Sequence, residues 1–118
     1  MINVGSILKC TDNSGALFIK CIKLYKLKRF SSIGDEILIS VKSCNPKKKI
    51  KKGEIYKALI IRTKYSYKYK NFYYKFNENA AILLNRKNLP IGTRLFGISI
   101  FYIRLINRKV FLLLENII

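Results

Sequence analysis

The sequence contains no histidine and no tryptophan, and only 6 of its 118 residues are aspartate or glutamate. Histidine is the commonest general acid or base and a frequent metal ligand. The few carboxylates form no recognisable pair with a nucleophile and belong to no metal-binding motif. Three cysteines without a CxxC pair cannot supply the four ligands of a zinc site. These absences argue against an enzyme, a metal site and a bound cofactor.

Signals for disulfides and for membranes are also missing. The three cysteines, Cys10, Cys21 and Cys44, define no disulfide framework, so we expect buried, reduced thiols in a reducing compartment. No apolar run reaches the roughly 18 residues that a membrane-spanning helix needs, so we expect no membrane insertion. The N-terminus resembles neither a signal peptide nor a transit peptide, which predicts that the chain works in the compartment where it is made.

Positive charge dominates what is present. The 24 lysines and arginines give a formal net charge of +18, far above the magnitude of about 2–8 that suits a small soluble domain. A charge of this size destabilises a compact chain through self-repulsion. The composition therefore predicts a polyanionic partner, and nucleic acid is favoured over an anionic membrane surface.

Two apolar stretches, 36–42 and 54–64, are predicted as strands that flank a basic loop. In the first strand, Ile37, Ile39 and Val41 share one face because side chains alternate along a strand. One face of the second strand carries Ile55, Leu59 and Ile61.

The loop between these strands holds five lysines in six positions. Pro46 restricts the backbone at its start, and Gly53 ends it with a permissive one, so we expect an ordered loop. The lysines repel one another in water, and a polyanion would relieve that repulsion. They are Lys47, Lys48, Lys49, Lys51 and Lys52.

Further strands are predicted at 2–10, 17–27 and 80–84, with a tight turn at 11–16. Residues 17–27 are apolar on both faces, so we expect both faces to be covered, the outer one by the C-terminal segment.

Five or six short strands separated by turn residues are typical of an all-β fold, a small closed antiparallel barrel without exposed edge strands. A chain of 118 residues predicts a single domain. We assign the barrel core to 1–97 and a C-terminal segment to 98–118, where the periodicity does not distinguish a helix from a strand.

Residues 65–76 alternate tyrosine with lysine or serine. Lysines such as Lys68 and Lys70 can neutralise phosphates while tyrosines stack on bases. The same pattern fits a hairpin whose tyrosines pack across its strands, and the sequence does not decide between the two. Lys28 and Arg29 form another short basic loop.

Five ordered blocks resemble one family. They are DNSGA at 12–16, GDEILISVK at 34–42, IKKGEIYKALIIRTK at 50–64, NAAILLN at 79–85 and PIGTRLFG at 90–97. Their order and spacing are similar to those of universal large-subunit ribosomal protein fourteen. The resemblance covers essentially the whole chain up to Gly97.

The resemblance implies a closed five-stranded barrel with a short C-terminal helical or irregular segment and no catalytic activity. It implies binding to large-subunit rRNA and to neighbouring ribosomal proteins, and a place at the subunit interface that bridges to small-subunit rRNA. A ribosome-silencing factor docks on members of this family. Thr93 and Arg94 would lie on the interface and factor-docking side. Together with the basic loops, the candidate RNA-binding residues are Asn13, Ser14, Lys28, Arg29, Lys47, Lys48, Lys49, Lys51, Lys52, Arg62, Lys64, Lys68 and Lys70.

The chain departs from the family's pattern after Gly97, where apolar residues replace charged ones, and this predicts a protein neighbour. The excess of Ile, Lys, Asn, Tyr and Phe is typical of an A+T-rich gene. We therefore interpret the chain as a divergent organellar member, mitochondrial in preference to plastid. The alternative hypothesis is a stand-alone small barrel that binds single-stranded nucleic acid through residues 65–76.

Overall fold

The computed structural model describes residues 1–25 and 29–118. This part of the chain forms nine strands and two short helices. In chain order they are β1 (Ile7–Cys10), β2 (Ala16–Leu24), β3 (Glu36–Cys44), β4 (Ile55–Arg62), β5 (Tyr67–Tyr69), β6 (Phe72–Tyr74), β7 (Ala80–Leu84), β8 (Ile98–Ser99), α1 (Ile103–Ile106), α2 (Arg108–Leu113) and β9 (Asn116–Ile117).

Strands β1, β2, β3, β4 and β7 close into a barrel in that order. Four of the neighbouring pairs are antiparallel, but β1 and β7 run parallel, with Lys9 opposite Ala80. The predicted all-β fold and closed five-stranded barrel are confirmed, while the fully antiparallel pairing is corrected to a mixed one. Strand directions cannot alternate all the way round a ring with an odd number of members, so one parallel pair is unavoidable.

Alternating side chains fill the barrel interior. Ile37, Ile39 and Val41 of β3 are at most 1% exposed, and Ile19 of β2 and Ile60 of β4 belong to the same cluster. Full burial of such a side chain contributes about 1.5–3 kcal/mol. The face predicted for β3 is therefore confirmed as the inner face of the barrel.

Strand β4 is buried on both faces along its second half. Ala58 and Ile60 belong to the interior cluster, whereas Leu59 and Ile61 belong to a second cluster outside the barrel. The face predicted from Ile55, Leu59 and Ile61 is thus the outer face of the barrel. Ile55 itself is 58% exposed, because the covering segment does not extend over the start of the strand.

The C-terminal segment covers the outer face of β4 and β7. Ile100, Ile103 and Val110 are fully buried and share one cluster with the outward side chains of these strands. Asn107 separates the two helices: its backbone N–H donates to the Ile103 carbonyl at 2.8 Å, and its side chain accepts from the Val110 N–H at 3.3 Å. In the described residues, no helix is long and apolar enough to span a membrane.

The outer face of β2 differs from our expectation. Strand β2 ends at Leu24 among the described residues. Lys26 and Leu27, which were predicted to belong to this strand, lie outside the described residues. Leu17 and Phe18 are both 50% exposed. The expectation that the C-terminal segment covers this face is wrong, because that segment packs on β4 and β7 instead.

Arg62 joins the barrel to the C-terminal segment. Its side chain is 6% exposed and donates to the carbonyls of Phe96 and Ile98, each at 3.1 Å, and to Glu78 Oε1 at 2.8 Å. Gly97 lies so close to the guanidinium that a Cβ there would overlap it. Arg62 therefore has a structural function at the end of β4.

Replacing Arg62 with methionine is expected to lower the free energy of unfolding by about 2–3 kcal/mol, because the carbonyls of Phe96 and Ile98 each lose a donor and Glu78 keeps only Lys9, at 3.6 Å, as its partner. Chemical denaturation of the full chain measures this loss. The matched control is Lys64→Met, two residues away and exposed, with an expected change within about 0.5 kcal/mol. Equal, small changes for both variants would contradict the assignment.

Candidate nucleic-acid interface

The loop between β3 and β4, residues 45–54, presents the five predicted lysines at one end of the barrel. All five are exposed, whereas Ile50 among them is only 5% exposed and belongs to the interior cluster. The loop is thus anchored by one apolar side chain that plugs the end of the barrel. Its lysines are held outward by the same anchor.

Hydrogen bonds fix both ends of this lysine loop. The Asn45 backbone N–H donates to the Gly15 carbonyl at 2.7 Å, and the Asn45 side chain accepts from the Lys47 N–H at 3.0 Å. At the other end, Glu54 accepts the Lys51 N–H, and Gly53, with a φ of 89°, donates to the Val41 carbonyl at 2.9 Å. The predicted ordered loop is what the structure contains.

The turn before β2 packs directly against the lysine loop. Gly15 has a φ of 116°, and a Cβ there would overlap the Lys48 side chain. The buried carboxylate of Asp12 organises this turn by accepting from the Ser14 N–H and hydroxyl, and from the Leu83 N–H at 3.2 Å. Burial, and then the charge of Asp12, raise the pKa of the Cys10 thiol, so Cys10 stays protonated and donates to Asp12 at 3.1 Å.

Asn13 connects this turn to Thr93 and Arg94, the predicted interface pair. Its Oδ1 accepts from the backbone N–H groups of Thr93 at 2.8 Å and Arg94 at 3.2 Å, and its Nδ2 donates to the Thr93 hydroxyl at 3.0 Å. The Asn13 side chain is therefore a positioning group. One shallow depression is lined by Asn13, Ser14, Lys48, Lys49 and Thr93.

Arg94 lies at the border between this depression and the C-terminal segment. Its side chain is 67% exposed, pairs with Glu115 at 3.3 Å and lies over the ring of Phe96 at 5.8 Å. The guanidinium keeps free donors towards solvent. An anionic partner at this end of the barrel could reach it.

The tyrosine–lysine segment forms the hairpin of β5 and β6, and its two faces differ. Tyr67 and Tyr69 pack against Tyr102, with ring centroids 6.0 and 4.7 Å apart. Burial, and then the neighbouring Tyr102, raise the pKa of Tyr67 to about 12. The opposite face presents Tyr73, 70% exposed, with Lys68 Nζ at 5.7 Å from its ring centroid. Packing therefore accounts for one face, and the other is free for a ligand.

The remaining predicted cations are dispersed. Lys64, Lys70 and Arg29 are exposed, and Lys70 Nζ lies 5.6 Å from the Tyr69 ring centroid. Lys28 lies outside the described residues. Arg62 is buried with its donors committed within the protein, so we leave it out of the RNA-facing set.

Sequence reasoning missed the anchors of the site. Ile50, the single apolar residue inside the lysine run, was the available signal for a loop that returns to the core. Glu54 holds the loop by accepting two hydrogen bonds, from the Lys51 N–H and, at 3.0 Å, from the Tyr56 hydroxyl. Nothing in the sequence pattern distinguishes Glu54 from a solvated strand residue.

Charge at this end of the barrel is left unneutralised. Within the described part of the chain, the five loop lysines form no ion pair, whereas Glu36, Glu78 and Glu115 each pair with a cation elsewhere. Across residues 1–25 and 29–118, no group of three His, Cys, Asp or Glu side chains could hold a metal ion. The arrangement suits binding of an extended anion and offers no catalytic constellation.

The family model of ribosomal protein L14p/L23e matches residues 1–110. The match spans the whole barrel, the lysine loop, the segment with Thr93 and Arg94, and the start of the C-terminal helices. The resemblance described from the five sequence blocks is thereby confirmed. The chain belongs to the family of ribosomal protein L14p/L23e and is a structural, non-catalytic protein of the large ribosomal subunit.

Proposed function

We propose that this chain binds large-subunit rRNA through the end of the barrel that carries the lysine loop. The observation that supports this most is the anchored loop, with five exposed lysines on a backbone fixed at both ends. Lysines on such a loop displace counterions from RNA phosphates without a further penalty for ordering the loop backbone on binding. The protein would fix the local geometry of folded RNA by this neutralisation.

Thr93 and Arg94 are proposed to face the subunit interface. They are exposed, and Asn13 holds them beside the lysine loop. Small-subunit rRNA across the interface would contact this side, and a ribosome-silencing factor would dock here. Neighbouring ribosomal proteins are proposed on the C-terminal segment, where Leu105 and Leu112 are each 67% exposed.

The proposed location is the mitochondrial ribosome, with a plastid ribosome as the alternative. Support comes from the composition, in which Ile, Lys, Asn, Tyr and Phe outweigh Ala, Gly and Pro as in an A+T-rich gene. The apolar C-terminal segment fits an assembly that is rich in protein neighbours.

A second candidate function is a free module that binds single-stranded nucleic acid. The exposed face of the β5–β6 hairpin favours it, since Tyr73 is 70% exposed and Lys68 Nζ lies 5.7 Å from its ring centroid. Aromatic rings beside lysines can stack on unpaired bases. The two candidates differ in whether lysines or aromatic rings dominate the affinity.

Sedimentation tests the ribosomal role directly. In a sucrose gradient of lysate from the source organelle, we expect this chain to migrate with the large subunit and to stay bound through a high-salt wash. Mass spectrometry of the fractions detects the chain. Stable co-migration would also identify the compartment. A chain that stays at the top of the gradient, or leaves the subunit at mild salt, would favour the free module.

Neutralising two loop lysines should reduce the salt dependence of RNA binding. For Lys48→Gln with Lys49→Gln, the slope of log K against log salt should fall by about 0.7–0.9 for each lysine that contacts a phosphate. Titration of large-subunit rRNA at several salt concentrations measures it. The matched control, Arg108→Gln with Lys109→Gln on α2, changes net charge equally and should leave the slope nearly unchanged. Equal changes of the slope in both double variants would indicate that the loop lysines contribute only through net charge.

Substitution of Tyr73 separates the two candidate functions. Because the ribosomal role depends on lysines, Tyr73→Ala should weaken binding to folded rRNA by less than about 1 kcal/mol, the lower end of base–aromatic stacking. Competition between folded rRNA and an unstructured oligonucleotide measures the preference, which should favour the folded RNA. A loss for Tyr73→Ala as large as that of the lysine variant, with unstructured strands preferred, would support the free module.

A further inference from the structure

A cleft of about 540 Å³ opens beside the start of β4, apart from the depression already described. Its lining combines apolar and aromatic side chains, including Leu38, Ile55, Tyr25 and Tyr56. Tyr25 is 44% and Ile55 58% exposed, so both remain accessible from solvent. An open cleft with an apolar floor and aromatic walls is suited to a flat, weakly polar ring.

Cations stand at the rim of this cleft. Lys57 is held in place by Glu36 at 3.3 Å and by the Asn88 side chain at 2.6 Å, and its Nζ lies 5.3 Å from the centroid of the Tyr25 ring. Arg86, also in the lining, is exposed. A nucleotide whose base entered the cleft would therefore place its flanking backbone phosphates near these cations.

The cleft is continuous with the lysine loop. Glu54 lines the cleft and accepts the Lys51 N–H of the loop, so one residue belongs to both. Ile91 lines both the cleft and the depression formed by Asn13, Lys48 and Thr93. An RNA backbone on the loop lysines would therefore pass the mouth of the cleft.

We infer that the cleft receives the base of one unpaired nucleotide of the bound large-subunit rRNA. This rests on the proposed rRNA binding and names a new contact within it. Tyr25 offers a ring face for stacking, and Leu38 and Ile55 offer an apolar floor. The Glu54 carboxylate, which has acceptor capacity beyond its two hydrogen bonds, selects a base edge that presents N–H donors. An aromatic side chain of a neighbouring protein would lack the flanking phosphates that Lys57 and Arg86 match.

Chemical probing of base edges tests this inference with the full chain and full-length large-subunit rRNA. Tyr25→Ser removes a wall of the cleft, and Ile55→Trp fills the cleft at a position that is already exposed. Each variant should expose to reagent at least one unpaired base that the wild type protects, and weaken binding about tenfold. The salt slope should fall by no more than about 0.7–0.9 for each of the two phosphate contacts of Lys57 and Arg86, and the larger contribution of the loop lysines should remain. Tyr65→Ser, at a 58% exposed tyrosine outside the cleft, is the matched control.

Several outcomes would overturn the inference. Identical footprints for wild type and both cleft variants would exclude an inserted base, and a salt slope that fell while every base stayed protected would indicate phosphate contacts alone. Loss of a ribosomal protein neighbour with an unchanged footprint would identify a protein side chain as the occupant. If wild type binds rRNA with a lysine-dependent slope while the cleft variants change neither the footprint nor the affinity, only this inference fails. If wild type does not bind rRNA, the proposed function fails with it.

Discussion

Closure of the barrel by β1 and β7 is the constraint on which the end of the molecule with the lysine loop depends. The pairing is short, with Lys9 opposite Ala80 and Cys10 opposite Ala81. It carries the following turn onto β7, where the Asp12 carboxylate accepts the Leu83 N–H. Asn13 then reaches Thr93, 80 positions along the chain. Segments distant in sequence therefore share one surface because the ring is closed, and opening the ring would disperse them.

The lysine loop depends on this scaffold for a second reason. Like charges at neighbouring positions favour an extended, disordered loop, and the folded protein alone gains nothing from their proximity. Order is imposed by groups that carry no positive charge: Ile50 in the core, Asn45 bonded to Gly15, and Glu54 bonded to Lys51. The core energy of the barrel offsets the repulsion, so the charge is presented and ready before any anion binds.

The sequence predicts those features that depend on local periodicity. Alternation at Ile37, Ile39 and Val41 identified a strand and its buried face, because one side of that strand meets the core. Alternation could not assign β4, since Leu59 is covered by a segment 40 or more positions away. Composition likewise could not assign Arg62, because the sequence does not show whether an arginine in a basic run binds an RNA phosphate or a carbonyl of the protein itself. Tertiary contacts determine which face of β4 is covered and what Arg62 binds, and local periodicity does not report such contacts.

Charge count and charge availability are therefore different quantities in this protein. Arg62 is engaged by Glu78 and two carbonyls, and Lys9 and Arg94 are partly engaged by Glu78 and Glu115. A net charge of +18 overstates the cations that can meet an anion at one site. The remaining exposed surface is divided between cations, which cluster on the lysine loop and are dispersed elsewhere, and apolar side chains such as Phe18 and Leu112. Because each kind of surface is stabilised by a different kind of neighbour, this division matches a subunit of a ribonucleoprotein better than a protein that acts alone.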